Sequence, residues 1–166
     1  MGTLEIEVYS DKNIAQREIV SSLLVDFARH HAKTQDSSGA VGASPIATNW
    51  SLNAFEQPDH FILLSKIDGM VMGCVGLRPY ENTIYENTCE MVFLFVKPAF
   101  RGFGFGHQLL ESFLHLAREK NYSHVLFDPI QSHEAIRQLY LGFGFEEIPP
   151  IGHSQTEAKT WLLHTL

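Results

Sequence analysis

Residues 101–106 read Arg-Gly-Phe-Gly-Phe-Gly, and no other stretch of the chain narrows its possible folds as much. The run before it, Cys-Glu-Met-Val-Phe-Leu-Phe-Val at 89–96, is apolar and of strand length. After it, Leu109, Leu110, Phe113, Leu114 and Ala117 recur at helical spacing across 107–120. The order is strand, glycine loop, helix. Glycines at alternate positions let the backbone take positive φ and approach a ligand closely, and the first turn of the next helix offers N–H groups that lack intrahelical partners. With the positive end of the helix dipole behind them, those groups suit an anion, so the loop reads as a phosphate cradle with Arg101 at its mouth. A P-loop would need Gly-Lys followed by Ser or Thr, whereas His107 and Gln108 follow Gly106. A dinucleotide fingerprint would need G-x-G-x-x-G early in a domain, whereas this loop is G-x-G-x-G and lies late.

The remaining periodicities surround this unit. Residues 4–9 alternate as an opening strand, and 14–31 predict a helix with Ile19, Val20, Leu23, Leu24 and Phe27 on one face. Residues 60–67 and 70–77 predict two strands joined by Asp68-Gly69, a hairpin dipeptide. The segment 80–88, with its repeated Tyr-Glu-Asn, is a loop. A strand at 124–128 ends at Pro129, and a helix carrying Ile136, Leu139, Tyr140 and Phe143 stops at Gly144. Residues 34–48 are small, polar and long for a connection, either a mobile loop or a substrate lid reaching to about residue 58, with Trp50 and Phe55 pinning its far end.

Strict alternation along 89–96 puts Glu90, Val92, Leu94 and Val96 on one face and Met91, Phe93 and Phe95 on the other. A carboxylate thus lies in line with apolar residues. Burial there favours its neutral form and raises its pKa, as a general base working near neutral pH requires; alternatively its place near the strand's start exposes it to water.

Composition bounds the partners. The 166 residues are 45% hydrophobic, enough for one core spanning 1–166 as a single domain. No basic, then apolar, leader opens the sequence, and no apolar run reaches the roughly 20 residues that span a bilayer, so a cytoplasmic protein without membrane contact is expected. A formal charge of −7 argues against a nucleic-acid surface. The nine histidines include no H-e-x-x-H pattern, and no metal is expected; Cys74 and Cys89 read as buried reduced thiols.

Taken together, the order strand, V-x-P (Val96 to Pro98), R-x-x-G-x-G (Arg101 to Gly106), helix, strand, L-Y-x-x-x-G-F (Leu139 to Phe145) resembles the GNAT superfamily of acyl-CoA-dependent N-acyltransferases. The resemblance implies an α/β fold with a mixed, mostly antiparallel sheet of about six to seven strands, splayed central parallel strands and about four flanking helices. It implies acetyl-CoA as cosubstrate, with Leu94, Phe95 and Val96 on the pantetheine arm. Arg101, Gly102, Phe103, Gly104, Phe105, Gly106 and His107 would hold the pyrophosphate. Glu90, six residues before the V-x-P valine, corresponds to the family's base, and Tyr140 to a tyrosine that protonates the departing thiolate. Where many relatives carry a cofactor-contacting Asn, this chain has Ser132 and His133, so His133 takes that place or the contact is lost.

By the same resemblance, residues 151–157 in the closing hairpin border the acceptor pocket. The acceptor is a small-molecule or peptide amine, and the protein a monomer or homodimer. A non-catalytic acyl-CoA-binding or interaction module on the same fold is the competing reading, against which Glu90 and Tyr140 both stand.

Overall fold

The computed structural model describes residues 2–36, 52–127, 134–151 and 160–166. In these, seven strands form one sheet in the order β1-β2-β3-β4-β5-β7-β6. They are β1 Leu4–Val8, β2 Phe61–Ile67, β3 Met70–Pro79, β4 Thr88–Val96, β5 His124–Phe127, β6 Glu146–Ile148 and β7 Trp161–Thr165. Every neighbouring pair is antiparallel except β4 with β5. Among the described residues three α-helices accompany the sheet, α1 Ile14–Asp36, α2 Phe105–Glu119 and α3 Glu134–Gly142, with a 3-10 turn at Leu52–Glu56.

Helix α2 buries the expected stripe of Leu109, Leu110, Phe113, Leu114 and Ala117 across β2, β3 and β4. Tyr140 and Phe145 join the same core, which also takes in Val75, Leu77, Met91, Val125 and Phe127. Helix α1 covers the opposite face through Val20, Leu23, Leu24 and Phe27, packed with Phe55, Phe93 and Phe95. Ile19, expected on that buried face, is largely exposed, and α1 runs past His31 to Asp36. Farther along the α1 face, Leu126, Trp161, Leu163 and Ile151 form a third cluster with Tyr80 and Tyr85 against it.

Two helix ends show how local chemistry sets the boundaries. Asn121 at φ 62° and Gly144 at φ 89° stand just beyond α2 and α3. The N–H groups after them fold back, Tyr122 to Ala117 O and Phe145 to Tyr140 O, closing Schellman motifs that satisfy last-turn carbonyls. The hairpin turn at Asp68-Gly69 likewise takes positive φ at both residues, as a type I′ turn demands.

Candidate functional site

The central parallel pair is short. β4 and β5 stay in register only at Thr88 with His124, Cys89 with Val125 and Glu90 with Leu126. Phe127, the next residue of β5, keeps its partner Leu162 on β7, while among the described residues 91–96 of β4 pair only with β3. Among the described residues the two strands therefore share no pair beyond Glu90, and the backbone groups of β4 that turn toward β5 have no described ladder partner over that stretch.

The face assignment expected for β4 needs correction. Cys74 faces Phe95 and Gly76 faces Val92, so Val75 alone stands opposite Phe93 and Leu94, a β-bulge. Phe93 takes φ 39°, left-handed backbone that a bulky residue adopts only under constraint. Past the bulge the alternation reverses: Leu94 and Val96 pack with Met91 on the α2 face, while Val92, Phe93 and Phe95 lie in the α1 core. Regular alternation had placed Leu94 and Val96 beside Glu90, and the inserted residue moves them across the sheet. The partner strand is shaped to match, since a Cβ built on Gly73 would lie 2.5 Å from the Phe95 carbonyl oxygen.

At the end of β4 the chain passes through a 3-10 turn, Pro98–Phe100, into the glycine loop. Gly102 and Gly104 take φ 85° and 87°, and a Cβ built on either would meet no protein atom within 4 Å. Backbone conformation, not crowding, demands glycine there. Gly104 is the N-cap of α2 and leaves its first turn without a side-chain cap. The leading amides of that turn, at Phe105, Gly106 and His107, form the N-terminal donor set. Gly106 lies inside the helix, and Phe103 is 74% exposed at the loop's tip.

Arg101 turns back. Its Nε donates to Val96 O at 2.9 Å, its guanidinium carbon sits 5.5 Å from the Phe95 ring centroid, and Nη1 lies 3.2 Å from His30 Nε2. The side chain thus ties the loop to the end of β4 and to α1. Phe95 is buried beneath it, and the His107 ring lies 4.5 Å from that of Phe143.

Glu90 is 5% exposed and paired. The guanidinium of Arg78, its cross-strand partner on β3, donates through Nε and Nη2 to Glu90 Oε2, at 2.6 Å each. Burial opposes the carboxylate and the guanidinium favours it, so the desolvation expected from sequence has a counterweight that sequence did not reveal. Tyr80, two residues on, has its phenol pKa raised by burial first and by the charge of Glu90 second. Its ring packs 5.8 Å from that of Trp161.

Tyr140 is fully buried, and its ring lies 4.6 Å from Phe127 and 5.5 Å from Phe145. Burial pushes its phenol pKa well up, so the hydroxyl keeps its proton at any physiological pH. Phe127 faces the α2 core and Leu126 the opposite one, so Tyr140 and Glu90 flank the end of the described β4–β5 ladder from opposite sides of the sheet. Burial also lifts Cys74 and Cys89 to about 12, which leaves both as inert thiols. His133 and Ser132, with residues 37–51 of the suggested lid and 152–157 of the acceptor loop, lie outside the described residues, while Ile151 is buried. Within the lid's far end, Phe55 is buried 5.1 Å from the Phe93 ring, as expected of a pin, while Trp50 lies outside the described residues.

Arg78 is the site residue that sequence reading missed. Its signal was present, a lone arginine closing the apolar run Gly-Cys-Val-Gly-Leu, but only the β3–β4 register puts it opposite Glu90.

The profile of the Acetyltransferase (GNAT) family matches residues 21–145, which span both core strands, the glycine loop and the Leu-Tyr helix. The chain belongs to the GNAT acetyltransferase family. An uncharacterised N-acetyltransferase of Schizosaccharomyces pombe is 30% identical over 99 residues, 58% of this chain, and the match spans 59% of that relative's length. Among solved structures, a GNAT acetyltransferase from Staphylococcus aureus Mu50 superposes with a TM-score of 0.70 at 16% identity, covering 98% of this chain and 99% of the other. A GNAT acetyltransferase from Elizabethkingia anophelis with acetyl-CoA bound gives 0.64 at 19% identity, with 98% of each chain covered. At such identities the structural likeness speaks for the GNAT fold. Among the described residues no helix is long and apolar enough to cross a membrane.

Proposed function

We propose that this GNAT protein transfers an acetyl group from acetyl-CoA to an amine by direct attack within a ternary complex. The reading rests most on one observation: Glu90 is buried at the end of the described β4–β5 ladder, one strand-length from an uncapped helix N-terminus. The left-handed glycine loop and the amides of Phe105, Gly106 and His107 suit a pyrophosphate, since they offer N–H donors and a backbone open to close approach. The edge of β4 at residues 94–96, which among the described residues has no partner on the β5 side, suits an extended amide-bearing arm whose own amides would complete it.

The bound cosubstrate supplies the acyl group as a thioester. An alkyl amine with a pKa near 10 is mostly protonated at neutral pH, so Glu90 takes up the proton that the nitrogen sheds, directly or through water, as the new C–N bond forms. A backbone N–H of residues 94–96 donates to the carbonyl oxygen as it gains charge. Tyr140 keeps its proton for the sulfur that leaves as the C–S bond breaks. No side-chain nucleophile is needed, and both buried thiols are unsuited to the role.

The test is thiol release from acetyl-CoA with a panel of amines that includes small amines, amino acids and peptide termini, run beside calorimetric titration of CoA. Turnover with at least one amine supports transfer. CoA binding without turnover across the panel would favour an acyl-CoA-binding module, and absence of CoA binding would overturn the cradle.

A further inference from the structure

We propose that Arg78 is a positioning residue that holds Glu90 ionised and in one orientation at the end of the described β4–β5 ladder. The inference rests on the acyl-transfer reading and adds to it a second residue that governs the base.

The register makes Arg78 and Glu90 a directly opposed antiparallel pair, and Glu90 with Leu126 is the last described pair that joins β4 to β5. Arg78 therefore meets Glu90 at the end of that ladder, three residues before the bulge at Phe93. Both guanidinium hydrogen bonds converge on the same oxygen, Oε2, so two charge-assisted donors anchor that oxygen. The arginine side chain is 37% exposed while that of Glu90 is 7% exposed. The cation thus keeps much of its hydration while it stabilises a carboxylate that has lost nearly all of its own. That asymmetry avoids the usual penalty of burying both partners of an ion pair.

Arg78 is a cation in direct contact with the carboxylate. On β3 the next ionisable side chain along the same face is Tyr80, whose raised phenol stays neutral. On β5 the partner is Leu126, and on β4 itself Cys89 points to the opposite face, where it stays protonated. A base in this position works only if it is ionised before the amine arrives, and an unopposed desolvation would leave it protonated near neutral pH.

The experiment uses Arg78→Met, Arg78→Lys and Arg78→Gln, the neutral polar variant standing in if Arg78→Met folds poorly. The carboxyl carbon of Glu90 is followed by carbon NMR in the cofactor-free protein, its signal assigned by loss in Glu90→Gln. Arg78→Met is expected to raise its titration midpoint by about 1–3 pH units, the effect of removing an adjacent opposite charge, with part of the shift reversed in Arg78→Lys. The acid limb of kcat/KM should move upward with it, while CoA affinity stays within about twofold. A midpoint unmoved in Arg78→Met, or in Arg78→Gln should Arg78→Met not fold, would overturn the proposal. Because the NMR titration needs no turnover, an inactive wild-type protein would count against acyl transfer and leave the role of Arg78 to be judged by the midpoint alone.

Discussion

Gly76 and Phe93 fit together with no room for a methyl group: a Cβ built on Gly76 would lie 2.5 Å from Cζ of Phe93 and 2.6 Å from Cγ2 of Val92. The contact falls at the bulge where Phe93 holds its left-handed backbone, so crowding there acts on the strand just before residues 94–96. Gly76→Ala is expected to cost about 1–3 kcal/mol of stability, the range for overpacking a tight core. It should also weaken CoA binding, because the side chains that must give way, Phe93 and Val92, belong to the bulged segment that leads into residues 94–96. Denaturant unfolding and calorimetry check both, and a variant as stable as the parent with unchanged CoA affinity would show the bulge to be indifferent to this contact.

Gly104→Val tests the cradle. The residue sits at φ 87° with open space around its Cα, so a branched side chain is strained by backbone conformation and projects to where a ligand would approach. CoA affinity is expected to fall by at least tenfold in a variant that still folds. Calorimetric titration decides it, and an unchanged Kd would sink the assignment.

Glu90→Gln keeps the shape of the side chain and removes the charge that Arg78 holds. Turnover is expected to fall by roughly 10²- to 10⁴-fold, the usual worth of a general base, with CoA affinity nearly intact. Activity should recover in part as pH rises and free amine becomes abundant. A loss of the same factor at every pH would mean that Glu90 orients or packs and takes no proton.

Tyr140→Phe keeps the ring against Phe127 and Phe145 and removes the hydroxyl. Fold and CoA affinity should survive while the transfer step slows by roughly 10- to 10³-fold. Single-turnover kinetics is the proper measurement, since product release can hide a slowed chemical step. A Phe variant that transfers as fast as the parent would reduce Tyr140 to a core aromatic.

His164 sets an acid limit on stability. It is buried on β7 with its ring 5.0 Å from that of Phe145. Burial, opposed by the Gly144 backbone and aided by the charge of Arg118, lowers its pKa below the ordinary 6.5. Between the lowered folded value and 6.5 the unfolded chain binds more protons, so stability falls as pH drops through that window. Thermal unfolding from pH 7.5 to 5 should show a falling Tm, and His164→Phe should flatten that fall. An unchanged slope in the variant would assign the acid sensitivity elsewhere.

Much of this was legible before any coordinates. The glycine spacing, the Leu-Tyr helix closed by Gly144 and the Asp68-Gly69 turn depend on contacts within a few residues, where sequence and conformation are tightly coupled. The stripe of α2 was equally plain, because a period of 3.6 marks a buried face whatever it packs against. The order of these local signals along the chain was enough to carry the family resemblance. What local pattern does not contain is registry between strands far apart in sequence. Only the β3–β4 pairing set Arg78 against Glu90, and only the two-against-one bulge carried Leu94 and Val96 to the opposite face from the one that alternation gave them. The end of the described β4–β5 ladder at Glu90 is decided in the same way, by how far two strands can share a ladder before their twist and the packing on either side pull them apart.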